Sequence, residues 1–138
     1  MNDYPNQKFQ KSWVNQDINA DVVRWAESFG RYLSEGNNAL TTGQLRKFFG
    51  EVKRIETNPS AHKADIVMLK PLIAYAVGRD KDSKGNNKTK IKEFGEEISK
   101  GIDAVLDGEE SSLKQNFGRF VKIFEAIVAY HKFYGAKE

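Results

Sequence analysis

The chain has 138 residues, the size of one domain, with 22 Lys and Arg against 19 Asp and Glu for a net charge of +3, and it contains no cysteine. Disulfides and thiolate metal sites are therefore excluded, in keeping with a reducing cytosol, and no run approaches the roughly 18 apolar residues of a membrane span or forms the apolar block of a secretion signal. So mild a basic excess allows a local nucleic-acid patch without demanding one.

Residues 1–16 are polar, with isolated aromatics at Tyr4, Phe9 and Trp13, and read as a flexible or loosely packed arm ahead of a helical domain over 17–138. A first helix is predicted to start at Asn19 or Asp21, both good N-caps, to turn Val22, Trp25, Phe29 and Leu33 inward and to stop at Gly36. The second begins on a capping box, Thr41 with Gln44, and places Leu45, Phe48, Phe49, Val52 and Ile55 on one face. Its opposite side carries Arg46, Lys47, Lys53 and Arg54 against the lone Glu51.

Asn58-Pro59-Ser60 breaks the chain, and Ser60 is placed to cap a third helix that ends near Gly78. Pro71 lies inside it, where the ring removes a hydrogen bond and crowds the preceding turn. Ile66, Leu69, Ile73 and Ala76 nevertheless stay in phase across the proline, which favours one bent helix over two. The charged and small residues from Asp80 to Asn87 read as a flexible connection. A fourth helix, about Thr89 to Leu106, buries Ile91, Phe94, Ile98 and Ile102.

The last helix starts at Ser111 or Ser112 and stops at Gly135. One stripe runs through Phe117, Phe120, Phe124, Ile127, Val128 and His131, a second through Ile123, Ala126, Tyr130 and Phe133 or Tyr134. Arg119, Lys122, Glu125 and Lys132 leave only a narrow polar face. A helix apolar around most of its circumference belongs in the middle of a bundle, here long enough to touch every other helix. No strand-like alternation persists anywhere, so the fold class is all-α, a single compact bundle of about five helices.

Catalytic chemistry is missing. His62 and His131 have no spacing to each other or to carboxylates that would seat a metal, and His131 on its apolar stripe reads as a packing histidine. Ser60 with Lys63, and Ser111 with Lys114, match a serine–lysine spacing without its companion motifs, and helix capping accounts for the serines better. Asp80 to Gly85 opens like a calcium loop but places Lys84 at the fifth position and Ile91 at the twelfth. No glycine-rich phosphate cradle is present. No catalytic residue, metal site or cofactor is assigned, and the chain is not read as an enzyme.

The chain does contain cations beside aromatics. Most of the positive excess falls in residues 46–54 and in Arg79, Lys81, Lys84, Lys88, Lys90 and Lys92, opposed by an acidic cluster at Asp103, Asp107, Glu109 and Glu110. Such runs are commonly solvated faces; the alternative is a surface that tracks phosphates without reading bases. Arg46 suits the second use, with its planar fork of donors near a helix N-terminus.

Three blocks carry a family likeness: Leu40-Thr41-Thr42-Gly43-Gln44-Leu45-Arg46-Lys47; Lys70 through Tyr75 to Gly78-Arg79; and Phe124-Glu125-Ala126-Ile127-Val128-Ala129-Tyr130-His131-Lys132-Phe133-Tyr134-Gly135. Together they resemble the small subunit of the type III-A CRISPR Csm effector complex, the last block being the most specific. The resemblance implies a non-catalytic helical subunit in the prokaryotic cytoplasm. It would stack along a backbone of repeated subunits that grip a guide RNA, and contact the sugar-phosphate backbone of target single-stranded RNA. The expected partners are the other Csm subunits and these RNAs, with self-association as a further expectation and no membrane. Arg46, Lys47, Arg79 and Lys132 fall in matched blocks and are the RNA-binding residues it implies; Lys53, Arg54 and Arg119 are added on charge alone. The chain departs from the pattern at Gly135-Ala136-Lys137, where a second glycine is usual, and in the longer lysine-rich loop after Arg79. The competing reading is a protein–protein adaptor with incidental RNA affinity, whose acidic cluster and basic stretches pair head to tail between copies.

Overall fold

Side chains at the expected places write two of the helix starts. In the computed structural model, which describes residues 4, 5 and 7–136, Thr41 and Gln44 form the reciprocal capping box: Thr41 Oγ1 accepts from Gln44 N at 3.1 Å, and Gln44 Oε1 accepts from Thr41 N at 2.9 Å. The Asn19 side chain accepts from the backbone N–H groups of Asp21 and Val22. The elements are a single-turn α1 (Ser12–Asn15), then α2 (Ala20–Ser34), α3 (Thr42–Glu56), α4 (Lys63–Arg79), α5 (Ile91–Asp107), a 3₁₀ turn (Glu110–Ser112) and α6 (Leu113–Phe133). The described residues form an all-α bundle of five long helices with no strand. Gly36 and Gly135, both at φ 84°, take the left-handed conformation that stops α2 and α6.

α6 is the axis. α1, α2, α3 and α5 all pack on it, and Phe117, Phe120, Phe124 and Ile127 are buried. The approach of α2 is set at Gly30, where a Cβ would lie 2.9 Å from Tyr130 Cβ and 3.0 Å from the backbone of Ile127 and His131. Of Phe133 or Tyr134 on the second stripe, Tyr134 is the half-buried one, its hydroxyl donating to Glu27 at 2.6 Å, and Phe133 is 74% exposed. One expectation for α6 is corrected: α4 packs chiefly on α5 rather than on α6. α4 is one continuous helix with Pro71 inside it, as its in-phase apolar residues imply.

Neither serine caps by its side chain. α4 begins after His62, beyond Ser60, and Ser112 sits at the start of α6 without a capping bond.

Within the segment read as an arm, Phe9, Trp13 and Val14 are buried in the common core, the Phe9 ring meeting Trp25 edge-on and the Trp13 ring tilted against both. The holding group is a buried carboxylate: Glu97 accepts from Phe9 N and from the Tyr4 hydroxyl, each at 2.8 Å, and from Lys100 Nζ at 3.0 Å. Burial, then the Glu97 carboxylate, push the Tyr4 hydroxyl well above its ordinary pKa. Residues 1–3 and 6 of that segment, and Lys137 at the other end, lie outside the described residues.

The connection after α4 is tied down. The buried Asp80 carboxylate accepts from Thr89 N at 2.8 Å and Thr89 Oγ1 at 2.9 Å. Asp82 accepts from the N–H groups of Lys84 and Asn86 around Gly85, at φ 84°. Lys90, counted with the surface cations in the sequence, is buried: its Nζ donates to the carbonyls of Tyr32 at 2.5 Å and Glu35 at 2.8 Å, closing the C-terminus of α2. That burial pushes its pKa down.

Candidate nucleic-acid interface

The cations singled out in the sequence separate by what they touch. Arg46 and Lys47 stand exposed in the first half of α3, with no hydrogen bond or ion pair to any described residue. Arg79 is exposed in the last turn of α4; its nearest notable neighbour is the Tyr75 ring, with Cζ 5.8 Å from the centroid. Lys132 is exposed in the last turn of α6.

Lys53 and Arg54, by contrast, sit in ion pairs. Lys53 Nζ lies 2.8 Å from Glu56 and 3.0 Å from Glu125, which together hold its pKa up. Arg54 pairs with Glu51 one turn back and lies 3.3 Å from Asp65 of α4. Arg119 is half-buried, and its Nη1 donates to the Val14 carbonyl and to Asn116 Oδ1, both at 3.1 Å. It anchors the end of α1 to α6.

Of the cations named in the sequence, the fold brings Lys47 and Arg79 to one cavity of about 250 Å³. It opens between α3 and α4 because α4 leans on α5. Its floor is Phe48, Leu72 and Ile91, and its rim carries Tyr75. Tyr75 escaped the sequence reading because α4 is apolar on nearly every side, so periodicity cannot say whether its one aromatic, Tyr75, faces out.

Three of the four residues of the acidic cluster are answered within the chain. Asp103 pairs with Lys70 at 2.7 Å, Asp107 with Lys11 at 3.0 Å, and Glu110 with Lys63, which lowers the Glu110 pKa. Both histidines have local partners: His62 Nδ1 lies 3.2 Å from Asp65, and His131 Nε2 lies 2.7 Å from the Leu40 carbonyl oxygen, the satisfied packing histidine that the stripe implied. Among the described residues no group of three or more His, Asp or Glu side chains is arranged to hold a metal ion.

The family model for Csm2 Type III-A matches residues 16–137, from just before α2 to past the end of α6. The chain belongs to the Csm2 family. Csm2 proteins are the small subunit of the type III-A Csm complex, as the three sequence blocks implied. No curated protein and no solved structure matches the chain. The Csm2 match takes in α3, α4 and α6 and hence every cation named above as a candidate contact. No helix of the described residues is long and apolar enough to cross a membrane.

Proposed function

We propose that the chain serves, without catalysis, as the filament-forming small subunit of a type III-A Csm interference complex, and that it holds the sugar-phosphate backbone of target or guide-paired RNA without reading sequence. The observation that carries this reading is the state of three cations. Arg46, Lys47 and Arg79, all in family-matched blocks, stand exposed with no carboxylate partner among the described residues. Lys53 and Arg54, chosen on charge alone, are already neutralised by Glu56, Glu125, Glu51 and Asp65. A phosphate meeting an unpaired guanidinium gains a charge-assisted contact and releases a counterion; one meeting a paired cation must first displace a carboxylate. Asp103, Asp107 and Glu110 already pair inside the chain, which favours this reading over a charge-driven adaptor.

The test is to co-express the chain with its genomic neighbours, purify the complex through the repeated backbone subunit, and measure target-RNA binding with wild-type and Arg46→Ala/Arg79→Ala chains. The double variant is expected to assemble normally and to bind RNA more weakly and with a shallower salt dependence. Unchanged RNA binding by the assembled variant complex overturns the proposal.

A further inference from the structure

The cavity between α3 and α4 has features that backbone contact alone does not use. Tyr75 stands on its rim 63% exposed, a large aromatic ring left in water one helical turn from Arg79. Below it the floor is apolar: Phe48, Leu72 and Ile91. At about 250 Å³ the space falls just below the roughly 300–1,000 Å³ typical of small-molecule clefts, which suits one ring system rather than a helix or strand. Lys47 and Arg79 stand at the same opening with no carboxylate partner among the described residues, Arg79 over the Tyr75 ring at 5.8 Å from its centroid.

Two polar side chains also line it. Gln44 donates to Thr89 Oγ1 at 3.1 Å and accepts from Thr41 N at 2.9 Å, and the Asp80 carboxylate accepts from Thr89 through one oxygen, Oδ2. The cavity therefore offers an aromatic face, an apolar floor and two cations, and its amide is held by Thr41 and Thr89.

The geometry points to a nucleotide subsite: one unstacked base of a single-stranded RNA lodges against Tyr75, while Lys47 and Arg79 take its flanking phosphates. This rests on the RNA-backbone reading and extends it, since it makes the chain sensitive to the presence of a base and indifferent to which base it is. Stacking of this kind is tolerant of sequence because every base has a π-face. A protein partner would also find apolar surface on α4, at Val67 and Met68, but the cations beside the Tyr75 ring favour a polyanion.

The full-length chain is titrated at low salt, by fluorescence anisotropy, with a short labelled oligouridylate, an oligoadenylate, and an abasic ribose-phosphate strand of the same length. The two base-bearing strands are expected to bind alike and the abasic strand about 5-fold more weakly or worse. Tyr75→Phe keeps that difference. Tyr75→Ala, at an exposed position that leaves the helical circular dichroism unchanged, abolishes it while binding the abasic strand as the wild type does. Arg79→Ala weakens all three strands. If base-bearing and abasic strands bind equally to the wild type while Arg79→Ala still weakens both, the subsite is overturned and the backbone reading stands. If no strand binds, both fall. If Tyr75→Ala retains the preference for bases but no longer co-purifies with the other complex subunits, this face docks protein and the subsite is overturned.

Discussion

His131 illustrates how one side chain couples the sequence pattern to solution behaviour. It occupies a helical position on the apolar stripe of α6, and only 2% of its surface is exposed. A carbonyl oxygen only accepts, so the Nε2 that lies 2.7 Å from Leu40 O carries a proton. Burial lowers its pKa more than the bond to Leu40, which favours the charged form, raises it. The unfolded chain, with an ordinary histidine near 6.5, then binds the proton more readily than the folded one. Stability contributed by the neutral ring is present above about pH 6.5 and is lost as pH falls from there toward the lowered folded value. Urea unfolding midpoints should fall between pH 7 and pH 5.5, the interval below the ordinary histidine pKa, and His131→Gln, which keeps a donor for Leu40, should flatten that fall. An equally steep fall in the variant would place the titration elsewhere.

At the scale of elements, the close approach of α2 to α6 separates glycines that look alike in sequence. Gly30 faces backbone atoms of α6, which have no freedom to yield. Gly50, within α3, has nothing within 4 Å of where a Cβ would stand. Gly30→Ala is expected to cost about 1–3 kcal/mol by forcing the helices apart, whereas Gly50→Ala should add about 0.5–1 kcal/mol by favouring helix over the unfolded chain. Thermal melts of the two variants check this; a stabilised Gly30→Ala would mean the helices sit farther apart than described.

The same scale shows what the sequence makes legible. α2, α3, α5 and α6 were recoverable because each repeats apolar residues at three and four, and because Thr41 and Asn19 announce their starts chemically. α1 was not, since its four residues are too few to show a period and their burial depends on residues far along the chain, Trp25 against Trp13 and Arg119 of α6 on the Val14 carbonyl. Lys90 misled for a related reason: a lysine in a charged run looks solvated until the fold sets the open carbonyls of α2 against it.

For the molecule as a whole, the issue is how a modest excess of positive charge is distributed. Counting cations in a stretch treated Arg46, Lys47, Lys53 and Arg54 as one patch, because pairing across helices is invisible in the sequence. Folding brings Glu125 of α6 to Lys53 and Asp65 of α4 to Arg54, and leaves Arg46 and Lys47 unanswered. A chain that spent all its cations in such pairs would have a uniform surface; this one is left with a basic end at α3 and the close of α4. Solvent-exposed ion pairs contribute little to stability, so removing Lys53 or Arg54 should barely touch it. The informative quantity is therefore the salt dependence of RNA binding by the assembled complex. On a single strand, log affinity falls against log salt with a slope of about −0.7 for each phosphate neutralised. Arg46→Ala, Lys47→Ala and Arg79→Ala should each make the slope shallower by about 0.7, and Lys53→Ala/Arg54→Ala should leave it near the wild-type value. If the paired double variant flattens the slope as much as the unpaired ones, those ion pairs open to receive RNA, and intramolecular pairing does not select the contacting cations.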